Sequence, residues 1–158
     1  MNLRIQEVFL LLIDQVLKDV TDQVGGIRLY RNDTLPSGEV CTMHATFEGG
    51  YHATLVLCAE LPLLTRLAQR MLQQEHVSAQ DIEDLAKEYF NVICGHIAVG
   101  LFRAEHISSR FSVPHASVGS YTPEKDTDAQ SVLNYVSDQN ENAQIIHCVL
   151  NESKSIKE

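Results

Sequence analysis

Apolar residues recur every three or four positions from Leu3 to Val24: Ile5, Val8, Phe9, Leu12, Ile13, Val16, Leu17, Val20 and Val24. That period predicts an amphipathic helix, which Gly25-Gly26 stops. A short apolar stretch, Ile27 to Tyr30, leads into Arg31 to Glu39, where Asn, Asp, Pro, Ser and Gly cluster as they do in solvated connections. Val40 to Phe47 and Tyr51 to Ala59 are rich in β-branched and aromatic residues, and Gly49-Gly50 between them predicts a β-hairpin closed by a two-residue turn. Pro62 suits the first turn of a second helix, in which Leu63, Leu64, Leu67, Ala68, Met71 and Leu72 repeat on a helical period up to about Glu75.

A third helix is predicted from Ser78 to about Ala104. Ser78 is a suitable N-cap with Asp81 three residues on, and Asp81, Glu83 and Asp84 lie where the positive end of the helix dipole favours acids. Beyond it, Ile107 to Val118, Ser131 to Val136 and Ala143 to Leu150 read as strands, with loops at Thr122-Pro123-Glu124 and Gln139 to Asn142 and a polar tail from Asn151. Helices and strands therefore come in blocks. Such grouping predicts a single α+β domain over residues 1–150, with helices on one side of a largely antiparallel sheet.

The chain has 158 residues, with Asp and Glu outnumbering Lys and Arg by 21 to 12 and a net charge of −9. That balance argues against nucleic acid and anionic lipid as partners, because nothing offsets the repulsion. The apolar run from Val8 to Ile13 is too short to span a bilayer and lacks a secretion cleavage site, so a cytoplasmic protein without membrane insertion is expected. Cys41, Cys58, Cys94 and Cys148 form no Cys-x-x-Cys pair and are read as reduced core thiols, and the seven histidines lack the spacing of a metal site. No glycine-rich phosphate loop appears either.

Placing the third helix on a wheel at about 100° per residue separates two faces. Ile82, Leu85, Ala86, Tyr89, Ile93, His96 and Ile97 form the predicted core face, while Asp84, Glu88, Asn91 and Gly95 gather opposite. Glu88 and Asn91 are three apart and reach the same external point. Two features set this polar face apart from a merely solvated one. Asp84 and Glu88 are like charges four residues apart, which costs roughly 0.2–0.5 kcal/mol. Gly95 lowers helix stability by about 1 kcal/mol relative to Ala while opening a flat spot for another molecule. The structural alternatives are that Asp84 complements the helix N-terminus and that Gly95 accommodates a crossing helix of the same chain.

Asp84, three residues, Glu88, two residues, Asn91, twenty-two residues and then Pro114 resembles the signature of the CheC, CheX and FliY group of bacterial chemotaxis phosphatases. Gly95 and the Phe47-Glu48-Gly49-Gly50 segment are similar in layout, and the resemblance spans roughly residues 39 to 150. It implies hydrolysis of the aspartyl phosphate on a CheY-like response-regulator receiver domain. The family's acid and amide fall on Glu88 and Asn91: Asn91 would orient the attacking water, and Glu88 would dock the receiver lysine, with Asp84 and Gly95 in supporting contact. The first helix has Glu7 followed by Leu10 where two-site members repeat the motif, which implies one site per chain, as in CheX. The resemblance also implies a homodimer and a Mg²⁺ ion carried by the partner receiver, with no cofactor on this chain. The other reading is a non-catalytic module that binds a receiver or acts like a flagellar switch protein. Pro114 is expected to be structural, at an edge or bulge, and Cys94 to point away from Asn91.

Overall fold

A computed structural model describes residues 3–123 and 130–150; the expected loop residue Glu124 and the tail from Asn151 lie outside them. The elements run α1 (Leu3–Gly25), β1 (Leu29–Arg31), β2 (Glu39–Gly49), β3 (Ala53–Glu60), α2 (Leu61–Leu72), α3 (Ala79–Glu105), β4 (Ser109–Phe111), β5 (His115–Ser120), β6 (Gln130–Ser137) and β7 (Asn142–Val149). All seven strands join one sheet in the order β1-β6-β7-β3-β2, with β4 and β5 both pairing along the outer edge of β2. Every pairing is antiparallel. This is the expected α+β architecture.

The alternation of side chains along the strands decides which sheet face is covered. Cys41, Met43, Ala45 and Phe47 of β2, Leu55, Leu57 and Ala59 of β3, and Ala143 and Ile145 of β7 are buried in the core. They meet Phe9, Ile13, Leu17 and Val20 of α1, Leu63, Leu64 and Leu67 of α2, and the inner face of α3. Thr42, His44 and Thr46 point the other way. His44 and His115, opposite each other on β2 and β5, stack there with ring centroids 5.1 Å apart.

Four sequence expectations need correction. The β2–β3 hairpin is not closed by a two-residue turn, because paired residues end at Phe47 and Ala53 while β2 continues through Glu48 and Gly49 to pair with β4. Gly49 has φ +98°, and the Gly50 N–H donates to Ser108 O at 2.9 Å. A Cβ on Gly50 would stand 2.7 Å from Ile107 Cγ2, so the glycines serve close backbone approach there. The run Ile107 to Val118, predicted as one strand, is two. Phe111 faces Phe47 but His115 faces His44, so the register slips by one residue across Ser112 to Pro114. Pro114 has no N–H for the ladder, and the Ser112 backbone and hydroxyl instead bond to Thr46 O and N, both at 2.9 Å. Pro114 is thus a buried bulge residue, in keeping with its structural assignment.

The other two corrections concern helices. His96, placed on the core face by the wheel, is exposed: it lies at the border of the buried arc, beside the groove between α1 and α3. α2, expected to run to about Glu75, ends at Leu72 with Gln73 in a left-handed cap, and Leu72 is 40% exposed.

Candidate functional site

α3 holds the candidate residues on a firmly anchored rod. Ser78 Oγ accepts from the Asp81 N–H and Asp81 Oδ2 accepts from the Ser78 N–H, both at 3.0 Å, forming a reciprocal capping box. At the far end His106 adopts a left-handed conformation, φ 57°, and its N–H donates to Phe102 O at 2.8 Å. Between the caps, Ile82, Leu85, Ala86, Tyr89, Phe90, Ile93, Cys94, Ile97 and Leu101 are buried.

Tyr89 links the rod to α1 by a hydrogen bond with Thr21. The Thr21 hydroxyl gives its one proton to Leu17 O at 2.6 Å, so the Tyr89 phenol is the donor and the threonine oxygen the acceptor. Burial pushes the Tyr89 phenol up to about 12, which keeps it protonated and able to donate. At Gly100 the α1 and α3 helices meet closely, and a Cβ there would stand 2.7 Å from Leu12 Cδ2.

Against that buried face, Asp84, Glu88 and Asn91 are exposed together, and Gly95 is half-buried one turn further on. Glu88 and Asn91, three residues apart on one helix, have Cβ atoms about 5–6 Å from each other. Neither side chain forms a hydrogen bond or ion pair with another described residue. Asp84 accepts from Gln80 Nε2 at 2.9 Å, a bond within the first turns of α3. The carboxylate and the amide therefore stand free in solvent, fixed only through the backbone.

Gly95 distinguishes between the two explanations of its presence. A Cβ built there meets only the Phe111 ring edge, at 4.0 Å, an ordinary van der Waals distance. No crossing helix requires the glycine; that role belongs to Gly100. The vacancy at Gly95 faces outward along the same line as Asn91.

The cysteines are free thiols, Cys41, Cys58 and Cys94 buried and Cys148 partly so. Burial raises the Cys94 thiol to about 12, and its side chain lies on the core side of α3, away from Asn91. Among the described residues no three His, Cys, Asp or Glu side chains are grouped so as to hold a metal. None of the described helices is long and apolar enough to cross a membrane.

The wheel missed one neighbour of the site. Met71 and Leu72, at the end of α2, form a groove of about 410 Å³ with Asp81, Asp84, Leu85 and Glu88 of α3. The signal was present as an apolar pair at the end of a helical repeat. The wheel could not show that α2 stops beside the acidic end of α3.

Comparison with known proteins adds family and fold. The family model of the chemotaxis phosphatase CheX matches residues 41–136, a span that runs from within β2 through α2 and α3 into β6. No sequence among curated proteins matches. A CheX chemotaxis protein from Desulfovibrio desulfuricans superposes with a TM-score of 0.74 at 14% identity, covering 93% of this chain and 99% of that one. A CheC-like superfamily protein from Shewanella sp. PV-4 gives 0.72 at 19% identity, covering 96% and 100%. The Borrelia burgdorferi CheX solved in a complex with CheY, BeF₃ and Mg²⁺ gives 0.67 at 13% identity, covering 92% and 97%. At such identities the structures speak for the fold, and the family model, which spans more than half the chain, speaks for descent: this protein belongs to the CheX family of chemotaxis phosphatases.

Proposed function

We propose that this chain hydrolyses the aspartyl phosphate of a CheY-like receiver domain in the cytoplasm, with Asn91 orienting the attacking water and Glu88 docking the receiver lysine. The observation that carries the reading is the pairing of an unengaged carboxylate and an unengaged amide on adjacent turns of one rigid, exposed helix face. Among the described residues neither side chain has a hydrogen-bond or ion-pair partner.

An acyl phosphate already has a good leaving group, so the barrier lies mainly in setting a water in line with phosphorus and balancing charge. Water attacks the phosphorus, the aspartate carboxylate leaves, orthophosphate forms, and the proton of the water passes to the phosphate or to solvent. A carboxamide suits the positioning step, since its oxygen accepts a hydrogen bond from water and its NH₂ donates elsewhere. It also loses no proton near neutral pH. Glu88, one turn earlier, forms a charge-assisted pair with the receiver lysine and fixes the approach. The receiver brings its own lysine and Mg²⁺, so the chain needs neither a metal site nor a nucleophile. The complex of the Borrelia CheX with CheY, BeF₃ and Mg²⁺ supports a receiver as the partner class.

The homodimer belongs to the same reading. Among the described residues β5 pairs only with β2, and it is exposed along nearly its whole length, which offers an edge to a second copy. Light scattering on the purified chain tests it: a monomer mass at tens of micromolar would remove it.

The activity is tested by following orthophosphate release from phosphorylated receivers of the encoding organism, with and without the chain. Release accelerated by wild type and slowed by Glu88→Ala supports the reading. A chain that binds a beryllofluoride-loaded receiver yet leaves release at its spontaneous rate is a binding module instead.

A further inference from the structure

The groove beside the acidic end of α3 is built from two chemistries. It is lined by three apolar residues, Met71, Leu72 and Leu85, and by three acidic ones, Asp81, Asp84 and Glu88. Leu72 is among the exposed large apolar residues, at 40%. No base is among the residues that line the groove. The Arg70 guanidinium packs over Gly26, within 2.5 Å of where a Cβ would be, and Lys87 projects about 100° round the helix from Glu88. Asp81 is engaged in the capping box and Asp84 with Gln80, but Glu88 has no partner among the described residues.

We infer that this groove between the end of α2 and the start of α3 is a second docking contact for the receiver, taking an apolar side chain flanked by lysine or arginine. The inference rests on the proposed function, because it places the same partner on a surface that shares Asp84 and Glu88 with the site. Three carboxylates in a lining that contains no base favour a basic segment, and an exposed leucine beside a half-buried methionine favours an apolar tip. A partner whose lysine reaches Glu88 is brought to the edge of this groove, because Glu88 lines it. Leu72 belongs to α2 and not to the Glu88–Asn91 pair of α3, so its contact governs binding and leaves the water-positioning step alone.

Leu72→Arg tests this, since it removes the apolar contact and repels a basic segment; Leu72→Gln removes only the contact, and Leu72→Met keeps it. Thermal unfolding checks that each variant folds. With a phosphorylated receiver that the wild type turns over, Leu72→Arg should raise KM at least tenfold while kcat changes less than twofold. Leu72→Gln should fall between, and Leu72→Met should match wild type. The Kd for the beryllofluoride-loaded receiver with Mg²⁺ should move by the same factors. Wild-type turnover with a KM and Kd indifferent to Leu72→Arg overturns the groove and leaves the phosphatase reading standing. Binding that weakens with Leu72→Arg in a chain without turnover supports the groove and overturns the catalytic reading. Absence of both binding and turnover with every receiver overturns both.

Discussion

Gly95→Ala should make the protein more stable and less active. Gly95 lies in the middle of α3, outside the positive-φ glycines, so its backbone is one that alanine adopts freely. The added Cβ meets only the Phe111 ring edge at 4.0 Å, so no neighbour has to move. Replacing glycine by alanine in a helix interior then gains about 1 kcal/mol. In a domain of this size that is roughly 2–4 °C in Tm. The functional effect has the opposite sign. If the receiver seats its phosphorylation site over Asn91, a methyl group one turn away on the same line holds it off, and a displacement of about 1 Å can slow a positioned reaction on the order of a hundredfold. The assay pairs thermal unfolding by circular dichroism with decay of a phosphorylated receiver. Gly100→Ala serves as contrast, because its Cβ would be driven into Leu12 at 2.7 Å and should lower Tm. A Gly95→Ala protein that is stabilised and fully active would refute the idea that this vacancy is kept for a partner. One that is destabilised would refute the packing argument itself.

His147 should make the protein acid-sensitive. It is buried against Phe9 and Tyr51, with Tyr51 Oη 3.0 Å from its Nε2, and desolvation lowers it from 6.5 to about 4. The unfolded chain therefore takes up a proton that the folded chain refuses. His147 leaves stability unchanged above pH 6.5 and lowers it as pH falls from there to about 4, by about 3 kcal/mol in all. Urea titrations at pH 7.5 and 5 should show a smaller pH dependence for His147→Leu, and an identical one would contradict the account. Arg66→Ala should lower stability by about 3 kcal/mol, since Arg66 makes bonds of 2.6 and 2.9 Å to Glu141, which is 7% exposed and keeps otherwise only the Ser137 hydroxyl for its side chain. Activity measured well below the transition temperature should be unchanged, and a drop would place this cluster in the site.

Local features were legible because their causes are local. Ser78 and Asp81 announce the α3 cap, and helical geometry alone brings Asp84, Glu88 and Asn91 onto one exposed line. The errors share a different origin. The hairpin end depends on β4 returning to pair with Glu48 and Gly49, and the β4–β5 break depends on Thr46 supplying both bonds to Ser112. Neither partner lies near in sequence. His96 sits at the edge of the helical arc, where a wheel cannot tell how far α1 overlaps α3. The exposure of Leu72 likewise follows from where α2 ends relative to α3, which its own repeat does not show. The sheet order, with β7 inserted between β3 and β6, likewise has no signature in the periodicity of any one strand.

The most direct measurement follows decay of a phosphorylated receiver alongside its affinity for the chain, comparing wild type with Asn91→Ala. Asn91 is exposed and touches no other described side chain by hydrogen bond or ion pair, so its removal should leave the fold intact. Decay should return to the spontaneous rate while Kd for the beryllofluoride-loaded receiver changes less than a few-fold. Decay by Asn91→Ala as fast as by wild type would show that the water is positioned by something else.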